Sequence, residues 1–329
     1  MVEREPFDVG RIQRTFKSKH WSFQITEGES VAHVCSEELA RRLPHIEPHT
    51  WQSRFLLGGI YLNGREPRWD SPIEPPCRLE YFEPTRRPEE VFKSYPAFAP
   101  EMVLWRDEDV GVAFKPAGLP STAPRDQKLY TMQAYLSDHT GQSVHLPSRL
   151  DVAVSGLLIF SLSSRMNQHL QRAYDRRLVR KEYLAEVGGA LGPGEINIQS
   201  PIGRNTRHPV LRQVVVEGGD AAHTVVESCG VFSRDGANFS VVKARPITGR
   251  THQIRVHLSS IGHPIVGDPY YGGFDLGDLR LISHAVSFRH PYNGRDLSFE
   301  VPFQFKPEWL TGLMRAGMTG SGKEEEYTP

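Results

Sequence analysis

The sequence predicts an α+β protein: a large domain on a mixed, largely antiparallel sheet flanked by helices, preceded by a small α/β unit. Three observations lead there. With about 100–200 residues per domain as a guide, the 329 residues suit two domains or one with an appendage. Four strand-like runs, KEYLAEVGG, VLRQVVVE, HTVVESCGVF and NFSVVKAR, follow one another between 181 and 245, mostly across short, turn-rich links. The segment PTRRPEEVFKSYPAFAP, 84–100, carries four prolines and charges of both signs, as an interdomain linker does. The expected organisation is an N-terminal unit over 1–83 with an irregular first twenty residues, a linker over 84–99, the main domain over 100–312 and a disordered tail over 313–329.

Within the N-terminal unit, VAHVCSEELARRL sets Val31, Val34, Leu39 and Leu43 on one helical face. EPHTWQSRFLLGG is a second helix closed by a glycine pair. IYLNGREPRW follows as strand, Asn63-Gly64 turn and return strand. In the main domain VLWRDEDVGVAFKPAGL predicts two short strands about an acidic turn, ending in a Lys115–Gly118 bend. Gly156–Phe160 has the composition of a strand buried on both faces. RMNQHLQRAYDRRL places Met166, Leu170, Tyr174 and Leu178 on a helical face, and TGSGKEEEYTP is too poor in apolar residues to fold.

Net charge is zero, with 39 basic and 39 acidic residues, so any polyanion affinity rests on local patches. Cys35, Cys77 and Cys229 lack CxxC pairing, which argues against a disulfide framework or zinc site and suits a reducing cytosol. The first residues lack the apolar core of a signal peptide, and no run approaches the roughly 20 apolar residues of a membrane span. A cytoplasmic protein without membrane contact is expected.

The chemistry is concentrated in two stretches. In LPSRLDVAVSGLLIF a charged Arg149-Leu150-Asp151 step precedes the buried strand. In RPITGRTHQIRVHLSSIGHPIVGDPYYGG, 245–273, Thr251 is a helix-cap candidate, Ile254, Leu258 and Ile261 form an apolar stripe, and Gly262 ends the helix. The spacing of His252, His257 and His263 matches no HExxH helix, and no metal is expected. Basic residues cluster over 165–181 and 243–257, flanking the Arg149–Asp151 step, the pattern of a phosphate-binding cleft. From residue type alone, Asp151 caps a turn beside Arg149, Tyr183 is a packed strand tyrosine, Arg255 is a helix-surface charge and Asp268 is structural.

KPAGL (115–119), RLDVAVSGLL (149–158), KEYLAEV (181–187) and PITGRTHQIRVHLSSIGHPIVGDPYYG (246–272) resemble the motifs of the RluA-type pseudouridine synthases, and LISHAVSFRHP is similar to that family's closing motif. The resemblance implies a central RNA-binding cleft and conversion of uridine to pseudouridine in ribosomal or transfer RNA, with no cofactor and no metal. It assigns the nucleophile to Asp151, its partner to Arg255 and the ring packed on the target base to Tyr183. Arg149, Lys181, Arg250, His252 and Gln253 are then expected to contact RNA, Lys115 to contact RNA or support the cleft, and the protein to be a monomer. These parts answer physical needs. Extruding a base costs about a few kcal/mol, and stacking on an aromatic ring returns roughly 1–3 kcal/mol. A guanidinium beside a carboxylate lowers its pKa by about 1–3 and orients it by a two-pronged contact. A non-catalytic RNA-binding protein on the same fold is the main alternative; a glycosidase requires a second working carboxylate. Ser148 and Val154 stand where the family usually has histidine and threonine, which bears on how the nucleotide is held. The N-terminal unit, through RFLLGGIYLNGREPRWDSPIEPPCRLEYF, is similar to the S-four-like RNA-binding appendage of this family, although acids and bases are comparable in number over 1–90.

Overall fold

The computed structural model describes residues 3–4, 20–48, 50–57, 59–83, 96–123, 131–205, 211–274 and 276–317. The chain divides into two compact units, one of residues 1–12, 99–118 and 143–329, the other of 13–98 and 119–142. Residues 119–142 therefore fall in the unit of the N-terminal stretch, not in the main domain where they were expected. Most of the expected linker, 84–95, lies outside the described residues, as do 5–19 and the tail from 318.

The first strand, β1 (Glu3–Arg4), pairs antiparallel with Gly273–Phe274. The smaller unit contains β2 (His20–Ile25), α1 (Cys35–Arg42), α2 (Thr50–Leu57), β3 (Ile60–Leu62), β4 (Cys77–Phe82) and α3 (Met132–Thr140). Its antiparallel sheet has the order β2-β4-β3. Leu39 and Leu43 of the predicted apolar face pack with Trp51, Phe55 and Tyr81 in one buried cluster. Helix α1 has Glu37 and Glu38 in its first turn and Arg41 and Arg42 in its last, matching its dipole. Burial would push buried Glu38 up, but hydrogen bonds from Arg41, the Ala32 N–H and Arg42 outweigh it and hold its pKa at about 2. Asn63 and Gly64 adopt φ of 52° and 77°, the expected hairpin turn. The expected return strand does not form. Beyond a single Leu62–Arg65 bridge, β3 pairs with β4, because Pro67 has no N–H to extend the ladder.

The larger unit holds β5 (Val103–Arg106), β6 (Val110–Lys115), β7 (Ser155–Ser161), α4 (Ser164–Asp175), β8 (Arg180–Gly188), β9 (Glu195–Ile198), β10 (Ile202–Arg204), β11 (Arg212–Val214), β12 (Thr224–Arg234), β13 (Ala237–Pro246), α5 (Gln253–Ser260), β14 (Gly273–Phe274), β15 (Leu281–Arg289), β16 (Asp296–Glu300) and α6 (Glu308–Arg315). Nine strands form one sheet in the order β5-β6-β7-β15-β8-β13-β12-β9, with β16 paired to β15. Among the described strands only β7 and β15 run parallel, through Ser155–Ile282 and Gly156–Ser283. Every residue of β7 after Ser155 is buried, and Leu157 and Ile159 pack with Met166 and Leu170 of α4 in the core. Ser163 caps α4 through the Met166 N–H at 3.1 Å. The helix stops at Asp175, two residues before Arg177 turns to φ +59°, so Leu178 leaves the predicted apolar face and stands exposed. The run VLRQVVVE keeps only the three-residue β11, and Val216 is exposed. Helix α6 carries ordered structure to Arg315, three residues into the expected tail. Among the described residues no helix is long and apolar enough to cross a membrane.

Gly156 decides how closely β7 approaches β15. Its φ is +119°, and a Cβ there would lie 2.3 Å from the Ser283 carbonyl oxygen, a backbone atom that cannot swing aside. Gly156→Ala is expected to cost roughly 2–4 kcal/mol through combined backbone strain and overpacking, measured as a lower urea midpoint.

Candidate active site

Asp151 lies in the turn that enters β7, with the Val154 N–H on its carbonyl at 3.1 Å. The neighbouring Val152 carbonyl accepts the Gly118 N–H at 2.8 Å and Lys115 Nζ at 3.2 Å. Lys115 also donates to the Pro116 carbonyl at 2.9 Å. The Lys115–Gly118 bend and the Asp151 turn are thus tied together beneath the carboxylate. Lys115, expected to contact RNA or to support the cleft, is fully buried, and in this conformation its ammonium supports the turn. Burial pushes its pKa down to about 7, against the opposing pull of Asp151.

Arg255 sits one turn into α5. This helix was expected to expose the arginine off its apolar stripe, yet every residue from Gln253 to Leu258 is buried. The cation is accommodated because two carboxylates meet it. Nε and Nη2 each donate to Asp268 at 2.8 Å, and Nη1 donates to Asp151 Oδ2 at 3.2 Å. The two-pronged contact anticipated for Asp151 therefore belongs to Asp268, which also accepts the Tyr270 N–H at 2.9 Å. The rings of Tyr270 and Tyr271 flank the guanidinium at 5.1 and 5.2 Å. Asp268, expected to be structural, has that part as the buried anchor of Arg255. Its adjacency to Tyr270-Tyr271 was readable, but its bond to Arg255 depends on the fold returning 268 to the helix.

Burial would raise the Asp151 pKa, but the charges of His252, Arg255 and Lys115 and the Arg255 hydrogen bond outweigh it and hold it below the usual carboxylate range. His252 itself is pushed down to about 4 by burial. Near pH 7 it is uncharged, so the stabilising charge comes chiefly from Arg255. The Asp151 side chain is 27% exposed, against 2% for Arg255, so the anion alone of the pair faces outward.

Tyr183, in β8, lies across from Ser283 of β15, which lies across from Gly156 of β7. That row carries the tyrosine to the Asp151 side of the sheet, where its buried hydroxyl meets Ser283 and feels the Asp151 charge. Lys181 occupies the same face two residues earlier. It donates to Ser148 Oγ at 2.7 Å and lies 5.1 Å from the Tyr174 ring centroid, so Ser148 keeps a polar role where the related motif has histidine. Arg149 is exposed.

The second basic cluster is largely engaged within the protein. Arg245 pairs with Glu195 and Glu227, Lys243 with Glu182, and exposed Arg250 donates to the Ala221 carbonyl. Gln253, expected at the RNA surface, is buried and uses its whole amide. Its oxygen accepts from Thr248 Oγ1 and the Arg250 N–H, and its nitrogen donates to the His223 carbonyl and Thr224 Oγ1. Thr251 is not the cap of α5; His252 holds that place at φ +57°. The three histidines do not converge: His252 meets Tyr271, His257 meets Thr224 and Ser200, and His263 meets the Gly188 carbonyl.

The comparisons with known proteins fit this geometry. The family described as RNA pseudouridylate synthase matches residues 109–260, which include Asp151, Tyr183 and Arg255. The dual-specificity RNA pseudouridine synthase RluA of Yersinia pestis is 33% identical over 211 residues, covering 62% of this chain and all of that protein. The protein of the same name from Escherichia coli strain K12 is also 33% identical, over 62% of this chain and 94% of its own length. Among solved structures, human RNA pseudouridylate synthase domain containing 1 superposes with a TM-score of 0.53 at 26% identity, covering 65% of this chain and 92% of that one. The chain belongs to the RluA-type RNA pseudouridine synthases, which are isomerases.

Asp268→Asn is expected to lose about 3–5 kcal/mol of unfolding free energy, because a buried guanidinium loses a charged partner, checked by urea denaturation. Lys115 provides a second test. Its folded pKa of about 7 lies below its ordinary 10.5, so between those values the unfolded chain binds the extra proton. Its contribution to stability must then rise with pH, by about 1.4 kcal/mol per pH unit, and Lys115→Met should remove that slope between pH 7 and 10.

Proposed function

We propose that this chain converts uridine to pseudouridine in ribosomal or transfer RNA, with Asp151 as nucleophile toward a uridine turned out of its RNA. The observation that carries the reading is the 3.2 Å contact between Arg255 Nη1 and Asp151 Oδ2 across 104 residues of sequence. It keeps a partly exposed carboxylate ionised at a partly desolvated place, which nucleophilic catalysis by aspartate requires. Tyr183 receives the base, and the Lys115–Gly118 bend holds the turn that bears the nucleophile. Exposed Arg149 and Arg250, with Lys181 held by Ser148, are the cations suited to the phosphates. Two of the relatives above are named dual-specificity RNA pseudouridine synthases, which supports RNA of more than one kind as substrate.

A glycosidase reading finds little support. The second carboxylate, Asp268, is fully buried and bound at both oxygens by Arg255, so it is not placed to activate water. The RNA-binding-only alternative retains no advantage while Asp151, Tyr183 and Arg255 are all present and assembled.

Asp151→Asn should abolish pseudouridine formation and leave RNA affinity within about threefold, since the phosphate-facing charges are untouched. Carbodiimide labelling with primer extension on RNA from cells lacking the gene, complemented with either form, reads the outcome. No lost modification on deletion, or full restoration by the asparagine form, counts against the proposal.

A further inference from the structure

We infer that His252 is a positioning residue for the nucleophile: its neutral ring presents a proton on Nε2 to Asp151, and Tyr271 locks it in that form. The inference rests on the reading of Asp151 given above. His252 Nε2 lies 3.8 Å from Asp151 Oδ2, and Nδ1 lies 2.7 Å from the Tyr271 hydroxyl. A lone pair on Nε2 would face an anionic oxygen across that gap and be repelled, whereas an N–H is attracted. Nδ1 is then the acceptor, and the Tyr271 hydroxyl donates to it. Tyr271 oxygen in turn accepts the Arg212 N–H at 3.1 Å. A chain of donors, Arg212 to Tyr271 to His252, thus ends on the nucleophile.

The ring has little room to do otherwise. Tyr270 stacks on it at 6.3 Å and 17°, Tyr271 meets its edge at 5.6 Å, and its side chain is only 8% exposed. The backbone holds φ +57°, an uncommon place for a non-glycine residue, and such outliers gather at functional sites. Burial also keeps the imidazole uncharged near neutral pH.

Arg255 and His252 both address Oδ2. That leaves Oδ1 as the oxygen presented to the nucleotide. A neutral second donor suits the purpose, because another full cation would stabilise the carboxylate further and blunt its attack. At 3.8 Å the Nε2–H is longer than a hydrogen bond, so it acts on the carboxylate as an oriented dipole.

Long-range proton–nitrogen NMR of the imidazole rings tests the tautomer on the wild-type protein alone, with His252→Asn, a residue that tolerates φ > 0, to assign the signals. The Nε2–H neutral form is expected at pH 7; an Nδ1–H form or an imidazolium overturns the inference. The kinetic probe is tritium release from total ribosomal and transfer RNA labelled with [5-³H]uridine in cells lacking the gene. Under single-turnover conditions His252→Leu should slow release about 10–100-fold while the half-saturating enzyme concentration stays put. His252→Gln, which keeps a neutral N–H near the Nε2 position, should restore most of the rate, and Tyr271→Phe should slow release and mix the tautomers. Wild-type rates in His252→Leu overturn the inference. If Asp151→Asn is inactive in that assay, the nucleophile reading survives that result; if Asp151→Asn still releases tritium, that reading fails as well.

Discussion

The site depends on one buried guanidinium shared by two carboxylates. Leaving a buried charge without its partner costs about 3–5 kcal/mol, so Arg255 can occupy the interior of α5 only because Asp268 and Asp151 both reach it. The sharing is unequal. Asp268 takes the two-pronged contact and fixes the plane of the cation, while Asp151 receives a single bond and keeps part of its surface outward. The result is a fixed cation beside a less constrained anion that stays ionised.

The supporting frame follows from local chemistry. Gly156 lets two strands approach so that Tyr183, Ser283 and the end of the Asp151 turn fall in one row. Gln253, with its amide wholly used, pins the first turn of α5 to the Thr248 and Thr224 segments. Lys115 knots the turn from below. Gln253 and Lys115 are polar positions inside the core, where an apolar residue would fill the space but position nothing, and Gly156 is a position where no side chain fits.

Much of this was legible in the chain. The strands β8, β12 and β13, the glycines that end α2 and α5 and the Asn63-Gly64 turn follow from composition and turn chemistry, and the pairing of Arg255 with Asp151 from motif resemblance. What was not legible concerns burial. Residue type places arginine, lysine and glutamine at the surface, so by residue type alone Arg255 was a helix-surface charge, Gln253 was read as an RNA contact, and Lys115 as an RNA contact or a support for the cleft. Only the return of 268 to α5, and of 152 to the 115–118 bend, supplies the partners that make those interiors tolerable. Helix and strand ends were misjudged for the same reason: Leu178 and Val216 look like core until the chain turns away, and Pro67 silently removes the donor a return strand needs.

The parallel pairing of β7 with β15 carries a consequence for heat. Only two residue pairs join these strands, whereas the antiparallel ladders on either side are longer. The larger sheet is therefore most easily parted along that seam, which lies between the turn bearing the carboxylate and the strand bearing the tyrosine. Warming should disable the enzyme by letting its two halves drift apart before either half melts, with turnover fading ahead of the far-ultraviolet signal of the strands.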